Sequence, residues 1–230
     1  EGEFAAEAGS DDNLVLRAAR ALQAACGVEQ GARLTLTKHI PVGAGLGGGS
    51  ADAAAALKLL CKLWAVIPSR EQLHEIAVSL GADVPMCLAN APLVARGIGD
   101  EIALLKEDLP EMHVLLVYPR VHLATPQVYA RYQHERVIDT PSLNGSDLIG
   151  SLAASRNQLQ RAAISLAPEV AELLLVLEGY PQARMVRMCG SGSSCFCLCE
   201  DAKAAESMAK DIATRYPNWW VQATRIAPLR

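Results

Sequence analysis

The feature that most constrains this chain is a glycine-rich segment between a strand-like stretch and an alanine-rich helical stretch. Residues 41–50 read Pro-Val-Gly-Ala-Gly-Leu-Gly-Gly-Gly-Ser, so five of the seven positions from 43 to 49 are glycine. Glycine tolerates positive φ and lets a ligand approach the backbone closely. A helix that begins after such a loop presents free N–H groups and its positive dipole end to an anion. The segment therefore predicts a cradle for a polyphosphate, in preference to a structural turn without a ligand.

Two other phosphate-binding loops share part of this pattern. Gly43, Gly45 and Gly48 satisfy the G-x-G-x-x-G spacing of a dinucleotide site. That site also requires a second strand with an acidic residue about 20 positions later. In this chain the sequence of that region predicts the end of one helix and the start of the next. A Walker A loop would need Gly-Lys-Ser/Thr after the glycines, and the chain has Gly49-Ser50 instead. Ser50 is placed to cap the helix or to contact a phosphate or its Mg²⁺.

Helix and strand signals alternate along the rest of the chain. Asp11, Asp12 and Asn13 offer N-cap side chains for a helix that ends before Gly27. Ser69 and Gln72 form a capping box. Further helices are predicted over residues 50–65, 69–80, 125–132, 158–166, 169–177 and 202–216, strands over 33–40, 112–118, 184–188, 194–199 and 219–226, and a loop over 139–151. The pattern predicts an α+β protein with two domains, 1–115 and 116–230.

Composition excludes several classes of protein. The 230 residues carry a formal net charge of −4 with no lysine-arginine run, which argues against a nucleic-acid partner. Charged residues interrupt the apolar stretches before they reach the roughly 20 residues that a membrane span needs. Seven cysteines, an odd number, indicate free thiols in a reducing cytoplasm. Cys195, Cys197 and Cys199 alternate along a strand, which favours core packing over a zinc site.

Four ordered motifs together resemble the GHMP small-molecule kinases, and within them the 4-diphosphocytidyl-2-C-methyl-D-erythritol kinases. The glycine-rich segment and its helix, PVGAGLGGGSADAAAA, resemble the central family signature. The remaining motifs are DNLVLRAA at residues 12–19, GADVP at 81–85 with GIGD at 97–100, and CGSGSSCF at 189–196. The resemblance implies a GHMP kinase fold with an N-terminal α/β domain that binds ATP and a ferredoxin-like C-terminal domain.

The resemblance also implies a reaction and roles for particular residues. The γ-phosphoryl group of ATP, with Mg²⁺, would be transferred to the 2-hydroxyl of diphosphocytidyl-methylerythritol, a step of the non-mevalonate isoprenoid pathway. Asp83 would be the catalytic aspartate and would also contact substrate. The implied ATP-binding residues are Pro41, Gly43, Gly45, Leu46, Gly47, Gly48, Gly49 and Ser50, and the other implied substrate-binding residues are Tyr129, Gly190, Ser191 and Gly192. Asn157 matches a family asparagine without an assigned role.

The chain departs from the family pattern at its start. The family's opening segment carries Pro-Ala-Lys-Ile-Asn-Leu, whose lysine pairs with the catalytic aspartate, and Asp-Gly-Tyr-His, which recognises cytidine. Nothing before Asn13 resembles either motif. Lys38 alternates with Leu36 and Ile40, so we expect it to snorkel from an apolar face. Another GHMP kinase, such as a homoserine or mevalonate kinase, and a nucleotide-binding fragment without activity remain the alternatives.

Overall fold

A computed structural model describes residues 1–9, 13–96, 101–105, 109–132 and 148–227. The chain divides into two compact units. The first unit comprises Glu1–Val42 and Gly47–Asp108, and the second comprises Gly43–Leu46 and Leu109–Arg230. The predicted boundary at residue 115 falls inside a strand, Met112–Tyr118, whose whole length is paired within the second unit.

The first unit packs four helices and a two-stranded hairpin among its described residues. In chain order they are α1 (Leu14–Cys26), α2 (Gly48–Leu63), α3 (Arg70–Leu80), α4 (Val84–Ala89), β1 (Leu93–Arg96) and β2 (Glu101–Leu104). The two strands pair antiparallel. Small and branched side chains from the four helices share one buried cluster, which includes Ala18, Leu22, Leu57, Ala77 and Val84. The alanines allow the helices to approach closely, and this core supports the start of α2.

The helix ends follow the predicted capping chemistry. The Asn13 side chain accepts a hydrogen bond from the Val15 N–H at 2.8 Å, and Gly27 ends α1 in the left-handed conformation, at φ 63°. Asp11 and Asp12 lie outside the described residues. The Ser69 Oγ accepts from the Gln72 N–H at 3.1 Å, and the Gln72 side chain accepts from the Ser69 N–H at 3.0 Å. The capping box is therefore confirmed.

Three local predictions for the first unit were wrong or incomplete. Residues 33–40 form no strand, because their described backbone hydrogen bonds reach only the short N-terminal segment and build no ladder. Lys38 N–H donates to the Glu1 carbonyl at 2.8 Å, and Phe4 N–H donates to the Lys38 carbonyl at 3.2 Å. The second helix begins at Gly48, two residues before the predicted start. Helix α4 and the β1–β2 hairpin were not predicted.

The second unit is built on a four-stranded antiparallel sheet. Its elements are β3 (Met112–Tyr118), α5 (Thr125–Arg131), α6 (Leu148–Ala154), α7 (Gln160–Leu166), α8 (Glu169–Glu178), β4 (Ala183–Met188), β5 (Cys195–Cys199), α9 (Ala202–Arg215) and β6 (Trp220–Ile226). The strand order is β4-β5-β3-β6, so each β-α-β connection skips one strand. This βαββαβ arrangement is the ferredoxin-like topology that the resemblance implied.

The predicted elements of this unit agree with the structure within two residues at each end, with one exception. Of the loop predicted over residues 139–151, residues 148–151 belong to α6, and the remainder lies outside the described residues. The turn at residues 97–100 also lies outside them. Within the described part of the chain, no helix combines the length and apolar character that a membrane crossing requires.

The three alternating cysteines of β5 pack in the core, as predicted. Cys195, Cys197 and Cys199 are buried in a cluster with Leu115, Leu173 and other apolar side chains. Burial raises the pKa of the Cys195 thiol, because an apolar environment disfavours the thiolate. The cysteines therefore act as small apolar side chains of the sheet.

Candidate phosphate-binding and catalytic site

The start of α2 presents backbone donors without a capping side chain. Gly47 is the N-cap residue, in the left-handed conformation at φ 66°, and no side chain accepts a hydrogen bond there. The first N–H groups of an α-helix have no acceptor within the helix. Ser50 does not cap α2, since it is the third residue of the helix. The first turn is therefore arranged to receive an anion.

Asp83 lies beside this helix start. A Cβ atom placed on Gly47 would lie 3.9 Å from the Asp83 Oδ2 atom. Asp83 is the N-cap residue of α4, yet its side chain makes no capping hydrogen bond. The backbone is held by bonds from Val84 N–H to the Gly81 carbonyl and from Cys87 N–H to the Asp83 carbonyl, each 3.1 Å. The backbone of Asp83 is thus held in place, and its carboxylate does not cap its own helix.

Burial and the Asp83 carboxylate both change the pKa of Cys87, which lies one turn along α4. Burial, and then the negative charge of Asp83, raise the pKa of the Cys87 thiol above its ordinary value. A raised thiol pKa keeps Cys87 neutral near pH 7. Asp83 is therefore not accompanied by a thiolate on the same helix.

Lys38 is buried and paired, so the prediction that it snorkels was wrong. Its side chain is 8% exposed, and its Nζ lies 2.5 Å from the Asp52 Oδ2 atom on α2. A Cβ placed on Gly48 would lie 3.3 Å from the same Nζ. The alternation correctly directed Lys38 inward, but the compensating charge comes from Asp52, fourteen residues later. The ion pair lies directly against the first turn of α2.

The other half of the glycine-rich segment, Gly43–Leu46, belongs to the second unit and packs against its second glycine loop. A Cβ placed on Gly45 would lie 2.2 Å from the Gly192 carbonyl oxygen. The Ser194 N–H donates to the Ala44 carbonyl at 3.3 Å. Gly45 also has a positive φ of 77°. Close packing of two backbones therefore requires glycine at this position.

Gly43 begins this half and lies against an imidazole. Its φ is 73°, and a Cβ there would lie 2.5 Å from the His122 Nδ1 atom. Sequence reasoning did not single out His122, because a lone exposed histidine after a strand carries no pattern. A side chain at residue 43 would require the imidazole to move, in addition to the cost of the positive φ.

The second glycine loop, residues 189–194, is held by Asn157, an asparagine to which the sequence analysis assigned no role. The Asn157 Nδ2 donates to the Met188 carbonyl at 2.9 Å and to the Gly190 carbonyl at 2.7 Å. Its Oδ1 accepts from the Leu159 N–H at 2.9 Å. The match to a family asparagine was the available signal, and the structure supplies the contacts.

Tyr129 and Ser191 are linked through α5. The Thr125 Oγ1 and the Ser191 Oγ are 2.8 Å apart. Tyr129 lies one helical turn after Thr125 and is 59% exposed, so it is not the core residue that the helical context alone would suggest. An exposed ring on this helix is available to a flat ligand.

The structure thus collects the predicted residues into two groups. In the first unit, Gly47, Gly48, Gly49 and Ser50 begin α2 beside Asp83, and Pro41 is buried in the preceding segment. In the second unit, Gly43, Gly45 and Leu46 belong to the stretch that meets the loop containing Gly190, Ser191 and Gly192, and that loop contacts the helix of Tyr129.

Two known families match parts of the chain. The family described as GHMP kinases N terminal domain matches residues 13–91. The family described as GHMP kinases C terminal matches residues 143–218. The two matches together cover more than half of the chain and follow the order of the two units.

Individual proteins are similar over most of their length. The chain is 45% identical to the 4-diphosphocytidyl-2-C-methyl-D-erythritol kinase of Granulibacter bethesdensis, over 86% of this chain and 67% of that protein. It is 41% identical to the enzyme of that name from Paramagnetospirillum magneticum, over 98% of this chain and 80% of that protein.

Solved structures show the same fold. A crystal structure of 4-(cytidine 5'-diphospho)-2C-methyl-D-erythritol kinase matches with a TM-score of 0.79 and 31% identity, over 97% of this chain and 80% of that chain. A homoserine kinase from Cytophaga hutchinsonii matches with a TM-score of 0.76 at 18% identity, over 99% and 80% of the two chains, which shows the shared fold alone. The sequence motifs, the two units and these relatives agree, and the chain belongs to the GHMP kinases, in the family of 4-diphosphocytidyl-2-C-methyl-D-erythritol kinases.

Proposed function

We propose that this chain transfers the γ-phosphoryl group of ATP to the 2-hydroxyl of 4-diphosphocytidyl-2-C-methyl-D-erythritol. The family and the identity to relatives of that name support the substrate. The observation that carries the chemistry is the Asp83 carboxylate next to Gly47 at the start of α2. A base and an anion-binding helix terminus are the two parts that phosphoryl transfer to an alcohol requires.

Asp83 is proposed as the residue that orients the substrate hydroxyl and accepts its proton. A carboxylate is suited to this role when it is held still and is not consumed by another hydrogen bond. The Asp83 backbone is bonded at both ends of the turn, and its side chain makes no capping hydrogen bond to its own helix. Proton acceptance would make the hydroxyl oxygen a better nucleophile toward the γ-phosphorus.

The phosphates of ATP are proposed to lie against the first turn of α2. The N–H groups of Gly48, Gly49 and Ser50 would donate to phosphate oxygens, and the helix dipole would favour their charge. The open space beside Gly47, where a Cβ would have no neighbour closer than 3.9 Å, fits close approach of a ligand. Pro41, Gly43, Gly45 and Leu46 would shape the entry to this turn.

The residues present also fit Mg²⁺, which kinases use with ATP. The Ser50 hydroxyl is an oxygen donor of the kind that Mg²⁺ prefers. When bound with ATP, the ion would neutralise charge that develops on the phosphate oxygens. Ser50 is therefore the residue we propose to hold it.

The second unit is proposed to bind the acceptor substrate. Gly190, Ser191 and Gly192 offer backbone groups without bulky side chains, and the exposed Tyr129 ring offers a stacking surface for the cytosine base. The Thr125–Ser191 contact connects these two features.

Seven unpaired cysteines fit a reducing compartment, and we propose the cytoplasm.

The test is ADP release from ATP and Mg²⁺ with diphosphocytidyl-methylerythritol, compared with homoserine and mevalonate as acceptors. We expect ADP release that depends on the first acceptor and falls by about a thousandfold in Asp83→Asn. Release with another acceptor alone would overturn the substrate assignment. ATP binding without ADP release under all conditions would support the alternative of a nucleotide-binding fragment.

A further inference from the structure

We propose that Asn157 is a positioning residue that sets the shape of the second glycine loop and, through it, the position of Gly43–Leu46. The proposal rests on the proposed function where it concerns ATP, and on described contacts where it concerns the loops. Every contact involved lies within the second unit.

The Asn157 side chain uses both of its donors and one position of its acceptor oxygen. Its two donors face two carbonyl oxygens, those of Met188 and Gly190, at 2.9 and 2.7 Å. Its oxygen accepts from the Leu159 N–H at 2.9 Å. An amide is the side chain that offers two donors and an acceptor at this length. Aspartate, with almost the same shape, would keep the Leu159 bond but would place a negative oxygen against two carbonyls.

The segment that carries Asn157 also makes hydrogen bonds to residues outside the loop. The Arg187 guanidinium, on β4, donates to the Ser155 Oγ at 2.7 Å, to the Leu152 carbonyl at 2.8 Å and to the Ser155 carbonyl at 2.6 Å. The Tyr132 hydroxyl donates to the Gln158 side chain at 2.8 Å. Asn157 therefore extends from a held segment to the loop, and the loop conformation follows from it.

The loop passes this geometry to the first glycine-rich segment by direct backbone contact. Gly192 N–H donates to the Cys189 carbonyl at 2.8 Å, which closes the loop. The Gly192 carbonyl then occupies the space where Gly45 would carry a Cβ, and Ser194 N–H bonds the Ala44 carbonyl. A shift of the Gly190 carbonyl would therefore displace the surface on which Ala44 and Gly45 rest.

The experiment compares Asn157→Asp, Asn157→Ala and the control Tyr180→Phe in the full chain. The Tyr180 hydroxyl donates to Asp211 and accepts from Arg215 elsewhere in the second unit, so its variant also loses two side-chain hydrogen bonds. Amide hydrogen exchange of residues 43–46 and 189–194 and calorimetric affinity for ATP are measured for each. We expect faster exchange in both stretches and ATP affinity reduced about tenfold in Asn157→Asp, which loses both donor bonds to the loop.

We expect a smaller change in Asn157→Ala, which removes the donors without adding a charge, and unchanged values in Tyr180→Phe. Unchanged exchange over residues 43–46 in both Asn157 variants would overturn the proposal, even if the melting temperature fell. Should Asn157→Asp fail to fold, Asn157→Ala decides. The exchange measurement needs neither turnover nor ATP, so failure of the proposed function would show in the parent chain and would leave this result interpretable.

Discussion

Gly45 and Gly47 are two residues apart in one glycine-rich segment, and both have a positive φ. Glycine is nevertheless required at the two positions for different physical reasons. A Cβ on Gly45 would lie 2.2 Å from the Gly192 carbonyl oxygen, whereas a Cβ on Gly47 would meet nothing closer than 3.9 Å. The first glycine is required by packing between two backbones. The second is required by its conformation and leaves open space beside Asp83. The same residue type in one motif thus serves structure at one position and ligand approach at the other.

The largest expected effect concerns the carboxylate beside Gly47. Asp83→Asn should reduce kcat by about a thousandfold while ATP affinity changes little, because the amide cannot accept the hydroxyl proton. Steady-state ADP release with calorimetry on the same preparation checks this, and Asp211→Asn, an exposed aspartate of the second unit, is the matched control. Equal turnover in Asp83→Asn and the parent would show that Asp83 does not accept the proton. The open space beside Gly47 would then have no assigned chemical role.

The next prediction concerns the Lys38–Asp52 ion pair, which lies against the first turn of α2. Lys38→Met should destabilise the chain by about 3 kcal/mol, because it leaves Asp52 beside the helix start without its buried partner. Lys38→Met combined with Asp52→Leu should recover much of the lost free energy of unfolding, since no charge is then left unpaired. Denaturant unfolding of the two variants measures the difference. Additive losses would mean that the ion pair does not couple the two residues.

Replacing Gly45 and Gly47 separately with alanine tests the difference between the two positions. Gly45→Ala should cost about 2 kcal/mol or more, since both its φ and the Gly192 carbonyl oppose a Cβ. Gly47→Ala should cost about 1 kcal/mol, the price of the left-handed conformation alone. Thermal unfolding checks the order, and equal losses would break the distinction between the two positions.

The smallest expected effect uses Cys189, at the start of the second glycine loop, as a reporter. Burial raises the pKa of Cys189 to about 12, so its thiol should react slowly with iodoacetamide at pH 8. Its reaction should accelerate as pH rises toward that value, because the thiolate fraction grows. Gly45→Ala should speed the labelling at pH 8 by disturbing the loop, and Gly47→Ala should not, as read by peptide mass spectrometry. Equal labelling rates of Cys189 in the two variants would show that Gly45→Ala does not disturb the second glycine loop.

Local signals predicted most of the fold because local interactions decide it. Asn13, Gly27 and the Ser69–Gln72 capping box mark helix ends through bonds to neighbouring residues, and the alternation of β5 marked its buried face. The stretch 33–40 was misassigned because alternation shows which side chains face inward but not whether a partner strand is present. Helix α4 was missed because six residues containing a proline carry almost no periodic signal.

The sequence by itself indicated the family through the order of its motifs, and periodicity predicted most helices and strands, since both are properties of the chain alone. The ferredoxin-like topology of the second unit was implied by the resemblance to that family. Only the tertiary structure decided how the glycines divide between packing and open space, that Lys38 pairs with Asp52, and that Asn157 holds the loop of Gly190. These pairings join residues between fourteen and about 150 positions apart, and their geometry arises when separate elements meet. No local pattern encodes such a meeting, because the contact depends on how the whole unit packs.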